Sequence, residues 1–253
     1  MSTTMDDELD RAANVLDNAT QVVIFSGAGV SAESGVPTFR ASDGLWEGHH
    51  IEDVATPDGF ERDPDLVWAF YNARRDNVRS VKPNPGHFAI AELEKLVGSV
   101  TVATQNVDGL HLVAGSTTVL ELHGSLRETR CLGCGVIRNR GLEVLGPKPL
   151  CPNCNGQLRP NIVWFRESLP RKTWTAAEDS VTACDVLIVV GTSAVVYPAA
   201  GLISLAKSAG ATVVEVNLTP TNASGYTDIG LYGPSGMMLP KVVERLRQLK
   251  SSE

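Results

Sequence analysis

The sequence predicts a doubly wound α/β fold with a smaller lobe built from two insertions. Three observations carry that expectation. Short β-branched runs recur along the chain, most of them followed by a glycine-containing turn and a helix-like stretch, the alternation that builds a mainly parallel sheet covered on both faces. Two stretches, residues 41–80 and 125–158, interrupt the alternation. The second interruption holds four of the five cysteines.

Taken in order, strands are expected over 21–26, 100–104, 119–122, 186–190 and 212–216, and helices over 6–18, 85–96 and 198–208. The run Val186-Leu-Ile-Val-Val190 is apolar throughout, as a strand buried on both faces should be. Residues 186–206 carry no charge, a length that could cross a bilayer. Gly191-Thr192-Ser193 and Pro198 divide it, so a buried βα unit is expected and no membrane span. The acidic N-terminus does not read as a signal peptide, and a cytoplasmic location is expected. The large domain should comprise 1–40, 81–124 and 159–253, with 41–80 as a helical insertion and 125–158 as a second module.

A chain of 253 residues can bury a core without disulfide staples. Lys+Arg number 22 against 29 Asp+Glu, a net charge of −7, which lacks the basic footprint of a phosphate-backbone binder. No direct nucleic-acid partner is expected, whereas a mildly acidic surface attracts basic peptides. The oligomeric state stays open, and a monomer is compatible with the sequence.

Cys131-Leu-Gly-Cys134 is followed, after residues 135–150, by Cys151-Pro-Asn-Cys154. Paired C-x2-C knuckles at this separation match a Cys₄ zinc ribbon. Disulfides are the competing reading, but they need an oxidising compartment. Four protein ligands leave no open position, so one structural Zn²⁺ is expected. Cys184 is left over and reads as a small core residue.

Residues 21–32, Gln-Val-Val-Ile-Phe-Ser-Gly-Ala-Gly-Val-Ser-Ala, are a strand leading into G-x-G-x-x-A, a relaxed dinucleotide fingerprint. By itself the motif also fits an ordinary βα turn. Ser34-Gly35-Val36-Pro37 should end the helix at once, and no strand ending in an acidic residue follows about twenty residues on, as a dehydrogenase would have. The next strand instead runs into Gln105-Asn106-Val107-Asp108. Polar groups at a strand's carboxyl end mark where open α/β sheets hold ligands, although Asn and Asp also simply favour turns.

With these segments on the page, the chain resembles a sirtuin. Residues 27–40, 104–111, Leu122-His123-Gly124, the four cysteines, Gly191-Thr192-Ser193 and Val216-Asn217 occur in family order, across about residues 10–245. The resemblance implies a Rossmann-like doubly wound sheet, NAD as a consumed co-substrate, and acylated-lysine proteins or peptides as partners. It implies that Gly27, Ala28, Gly29, Gly191, Thr192, Ser193, Asn217 and Ser235 hold ADP-ribose. Phe39 and Arg40 are implied beside the nicotinamide ribose, Asn106 and Asp108 at the nicotinamide end, and Trp46 and Gln105 also on the dinucleotide. The implied chemistry is attack of the acyl oxygen on the ribose as nicotinamide leaves, with His123 as general base on a ribose hydroxyl. Imidazole titrates near neutrality, which suits that role. His111 reads as structural.

Asp63-Pro64 should start a helix as N-cap and first residue, placing Tyr71 and Arg74 on one face. A guanidinium forks onto a carboxylate while a phenol donates beside it. The pair resembles the Tyr-x-x-Arg of the desuccinylase/demalonylase (class III) branch, and Ala55 its small pocket residue. An amphipathic helix with a core Tyr and a solvated Arg is the plain alternative. Residues 161–167, with Val163 and Phe165, resemble the strand that pairs with the substrate, but Arg166 stands where the family has Gly. The segment Gly233-Pro-Ser-Gly-Met-Met238 also departs from the family pattern of Gly-x-Ala-Gly followed by an acidic residue, around Ser235. The alternatives are a deacetylase with weak acidic-acyl activity, a protein ADP-ribosyltransferase, an NAD-dependent redox dehydrogenase and a non-catalytic zinc-ribbon module.

Overall fold

A computed structural model describes residues 4–38, 45, 46 and 48–252, with 45 and 46 described by their backbone alone. The chain runs through α1 (Met5–Asp17), β1 (Gln21–Ser26), α2 (Gly29–Ala32), β2 (Leu45–Trp46), β3 (His49–His50), α3 (Ile51–Val54), α4 (Pro57–Arg62), α5 (Pro64–Ser80), α6 (Pro85–Leu96), β4 (Ser99–Thr104), α7 (Leu110–Ala114) and β5 (Val119–Glu121). It continues through β6 (Gly124–Cys131), β7 (Ile137–Asn139), β8 (Leu158–Ile162), α8 (Arg171–Ala183), β9 (Val186–Val190), α9 (Gly201–Ser208), β10 (Thr212–Asn217), β11 (Ile229–Tyr232) and α10 (Ser235–Ser251).

The large sheet has the order β11-β10-β9-β1-β4-β5, and each pairing in it is parallel. Relabelled by position in the sheet this is the Rossmann order, whose strand sequence reverses between β1 and β9. Alternate side chains of each central strand enter different cores. Val22 and Ile24 pack with α1, α6 and α10, while Val23 and Phe25 pack with α8 and α9. Among the described residues no helix is long and apolar enough to cross a membrane.

Three elements go beyond the sequence expectation. α8 buries only Ala177 and Val181, a stripe too thin to signal a helix. β11 is four residues long, and α10 carries Pro240 inside it, which obscures its helical pattern. α9 starts at Gly201, three residues later than expected.

The small lobe has its own core, in which Val54, Phe60, Trp68, Phe70 and Tyr71 meet Leu126, Leu158, Ile162 and Trp164. Asp63 caps α5 by accepting from Leu66 N at 2.9 Å, with Pro64 in the first turn. The ribbon sheet has the order β7-β6-β8 and is antiparallel. β8 therefore carries the ribbon to residue 162, past the expected boundary at 158, because its backbone pairs with β6 rather than with the large sheet.

Candidate active site

The switch point of the sheet is closed by backbone meeting backbone. Gly29 N donates to Gly191 O at 2.7 Å. Gly191 has φ +60°, and a Cβ there would lie 2.2 Å from Val30 N. One on Gly27 would lie 2.7 Å from Thr192 Cβ. The glycines are thus required by the contact between two loops. α2 ends after Ala32, as the Ser-Gly-Val-Pro segment implied.

From here polar side chains tie the strand ends together. Gln105 Nε2 donates to Thr192 Oγ1 at 3.0 Å, and Asn217 Nδ2 to Thr192 O at 2.7 Å. Asn106 Nδ2 donates to Ser31 Oγ at 3.1 Å, and Ser31 Oγ donates to Asp108 Oδ2 at 2.8 Å. Burial raises the Asp108 carboxyl above the ordinary range, against hydrogen bonds from Leu110 N and Ser31. Behind this layer His87 and His111 are buried, and burial pushes them down to about 4 and about 3. Ser31's one proton goes to Asp108, so His87 Nε2, at 3.3 Å, is the donor in that pair.

His123 follows β5. Its Nδ1 lies 3.1 Å from Gln105 O. A carbonyl only accepts, so Nδ1 carries the proton and Nε2 holds the lone pair. Burial lowers its pKa, partly opposed by that bond, which keeps the imidazole neutral and basic near pH 7.

A cleft of about 620 Å³ joins these strand ends to the small lobe. It is lined by Gly27, Ala28, Gly29, Gln105, Asn106, Asp108, His123, Gly191, Thr192, Ser193 and Asn217 on the sheet side. Ala55, Tyr71, Arg74, Val163, Trp164, Phe165 and Arg166 face them. Tyr71 is fully buried, and burial pushes its phenol up to about 12. Its Oη accepts from Trp164 Nε1 at 2.9 Å, so the phenolic proton is available to a ligand. Arg74 is buried and its guanidinium lies 5.7 Å from the Phe70 ring centre. Arg75 instead turns to the ribbon, where Nε donates to Leu126 O at 2.8 Å. Both arginines are buried, where the plain reading of the helix expects a solvated one.

Val163 N donates to His123 O at 2.9 Å and Phe165 N to Ala55 O at 3.0 Å, so this segment bridges both lobes. Arg166 has φ +70°, a conformation that costs a non-glycine residue about 1–2 kcal/mol. Its guanidinium contacts Glu52 at 2.7 Å and Asp58 at 3.0 Å, exposed pairs contributing about 0–1 kcal/mol each.

The four cysteine sulfurs lie within 4.8 Å of one another. Cys131 and Cys154 are 3.4 Å apart, and Cys134 and Cys151 3.8 Å. A disulfide would need about 2.05 Å, whereas tetrahedral Zn–S bonds of 2.3 Å place sulfurs about 3.8 Å apart. The donor set and spacing fit one structural zinc with no open position. Cys184 is buried in the sheet's second core.

Phe39 and Arg40 lie outside the described residues, as does the side chain of Trp46. Ser235 stands away from the cleft lining, and its hydroxyl donates to Glu33 at 3.0 Å. Sequence reasoning missed Ser31 and Trp164 as site residues. Ser31's place in the first turn after β1 is the one signal that could have found it.

The sequence profile of the Sir2 family matches residues 27–198. An "NAD-dependent protein deacylase 2" of Pyrobaculum aerophilum is 49% identical over 236 residues, 93% of this chain and 95% of that one. A solved Sir2 homolog–NAD complex superposes with a TM-score of 0.89 at 41% identity, covering 95% of this chain and 94% of that one. The structure of Sir2Af2 bound to a myristoylated histone peptide does so with a TM-score of 0.80 at 39% identity, covering 98% and 100%.

Proposed function

The chain belongs to the Sir2 family, and on that premise we propose how its cleft works as an NAD-dependent protein deacylase with a preference for acidic acyl groups. The net reaction takes acyl-lysine, NAD and water to lysine, nicotinamide and O-acyl-ADP-ribose. NAD supplies the electrophilic ribose carbon. The Gly27–Gly29 and Gly191–Ser193 loops with Asn217 bind its ADP-ribose part, and Asn106 and Asp108, linked through Ser31, orient the nicotinamide end. Phe39, Arg40, Trp46 and Ser235 complete the proposed dinucleotide set, Ser235 from outside the lining. Val163 and Phe165 offer backbone to the substrate peptide. His123 Nε2 takes a proton from a ribose hydroxyl, and the Gln105 carbonyl stabilises the resulting imidazolium.

The observation carrying this reading is the single cleft in which His123, held as an Nδ1–H tautomer, faces the glycine loops and the Tyr71–Arg74 pair together. Tyr71, protonated by burial, and the Arg74 guanidinium match a carboxylate-ended acyl group, and Ala55 leaves room for it. Acylated-lysine peptides are the partners, and the thiolate cluster suits a reducing compartment such as the cytoplasm. Mass spectrometry of one reaction holding NAD and matched acetyl-, malonyl- and succinyl-lysine peptides tests the reading. Free nicotinamide and O-acyl-ADP-ribose, formed fastest from the acidic peptides, are expected. ADP-ribose left on protein, or NADH, would contradict it, and faster acetyl turnover would leave the plain deacetylase.

A further inference from the structure

Arg166 is the one charged residue of the Val163–Phe165 bridge and its flank that adopts a left-handed backbone, at φ +70°. A glycine would sit there without strain. What the arginine adds is reach. From the cleft rim its guanidinium spans to Glu52 in α3 and Asp58 in α4. Between those two elements lies Ala55, whose carbonyl accepts from Phe165 N at 3.0 Å. Thr56 strengthens the same corner, donating to Glu52 O at 2.8 Å and accepting from Gly59 N at 3.0 Å. The substrate-facing segment and the wall of the acyl pocket therefore share one backbone bond and two ion pairs.

The backbone strain and the two exposed pairs are similar in size and opposite in sign. All three charged side chains are more than half exposed, so salt weakens the pairs while leaving the strain untouched. We propose that Arg166 is a positioning residue that, through Glu52 and Asp58, holds residues 163–167 against Ala55 in the shape that receives the acyl-lysine peptide. The inference rests on the deacylase reading of the cleft. It makes peptide recognition sensitive to ionic strength, with the chemical step and the dinucleotide side unaffected.

Steady-state kinetics with a succinyl-lysine peptide at saturating NAD, at low and at high salt, tests it. The Glu52→Gln/Asp58→Asn double variant should raise the peptide KM about fivefold, the scale of one exposed pair, with kcat and the NAD KM unchanged. Wild-type KM should climb with salt, and Arg166→Gly, which removes both strain and pairs, should make KM independent of salt. Adding Arg166→Gly to the double variant should bring KM back down, since no strained arginine is then left uncompensated. A merely structural role would move stability without that rescue. An unmoved KM in the double variant, or a triple variant no better than the double, overturns the inference while leaving deacylation intact. A wild-type chain that releases no nicotinamide from any acyl peptide overturns both.

Discussion

On the sheet side of the cleft, main chain presses on main chain. Gly29 donates to Gly191, and a single Cβ at Gly191 would stand 2.2 Å from Val30 N. Across the cleft the small lobe works with side chains, where Trp164 donates to Tyr71, Arg74 lies beside Phe70, and Arg166 reaches two carboxylates. The sheet side rests on two apolar cores fed by alternate residues of the same strands. The small lobe has one core that includes Cys131 and Cys151, and its ribbon is gathered by four thiolates. The lesson is a division of labour. The side proposed to take the dinucleotide is fixed by burial and close backbone contact, and the side proposed to select the acyl group hangs on a cysteine cluster suited to zinc and on long-range side-chain pairs.

The sharpest way to break that comparison is to take away the metal. Structural zinc in small ribbons contributes roughly 10–16 kcal/mol to folding, so Cys131→Ser or strong chelation should abolish turnover. Hydrogen exchange should then show β6–β8 opening while β1, β4 and β9 stay protected. Equal loss of protection in both lobes would show that they are not separate in this sense. The converse experiment is Gly191→Ala. Its added methyl meets backbone in a left-handed turn, and a loss of roughly 3 kcal/mol is expected in urea unfolding, together with weakened NAD binding. Zinc content should remain at one per chain.

Selectivity sharpens the small-lobe half. Arg74→Met removes the cation proposed for the acyl carboxylate, a charge-assisted contact of about 1.5–3 kcal/mol. Desuccinylation kcat/KM should fall about ten- to hundredfold, and deacetylation should change by less than about threefold. Parallel loss of both would leave Arg74 a structural residue.

A pH-dependent effect, on stability rather than selectivity, belongs to the buried imidazoles behind the sheet ends. His87 and His111 have folded-state values of about 4 and about 3, below the ordinary 6.5 because burial disfavours the cation. The unfolded chain thus binds protons that the folded one refuses. Their contribution is complete above about pH 6.5 and is lost as pH falls toward those folded values, by up to about 1.4 kcal/mol per pH unit for each ring. Urea midpoints measured from pH 7 to pH 5 should decline accordingly. A flat profile would mean that the two rings are protonated inside the fold.

Much of this was legible in the chain. The strands over 21–26 and 186–190 announce themselves as unbroken β-branched runs, and the paired knuckles at 131–154 have one common ligand. The sites that stayed hidden depend on distant partners. Ser31 matters because it meets Asn106 and Asp108, 75 and 77 positions away, and Trp164 because it meets Tyr71, 93 positions away. Local pattern has no access to such pairs. Ser235 is a further case, its hydroxyl donating to Glu33, 202 positions away.

The central claim is that His123, with its proton on Nδ1 toward Gln105 and its lone pair in the cleft, acts as the base after nicotinamide has left. Exchange of labelled nicotinamide into NAD and formation of O-acyl-ADP-ribose, followed in the same His123→Ala sample with a succinyl-lysine peptide, separate the two stages. Exchange should persist while product formation falls by about 10²- to 10⁴-fold, the usual contribution of a general base. Undiminished product formation, or loss of exchange alone, would contradict the role assigned to that imidazole.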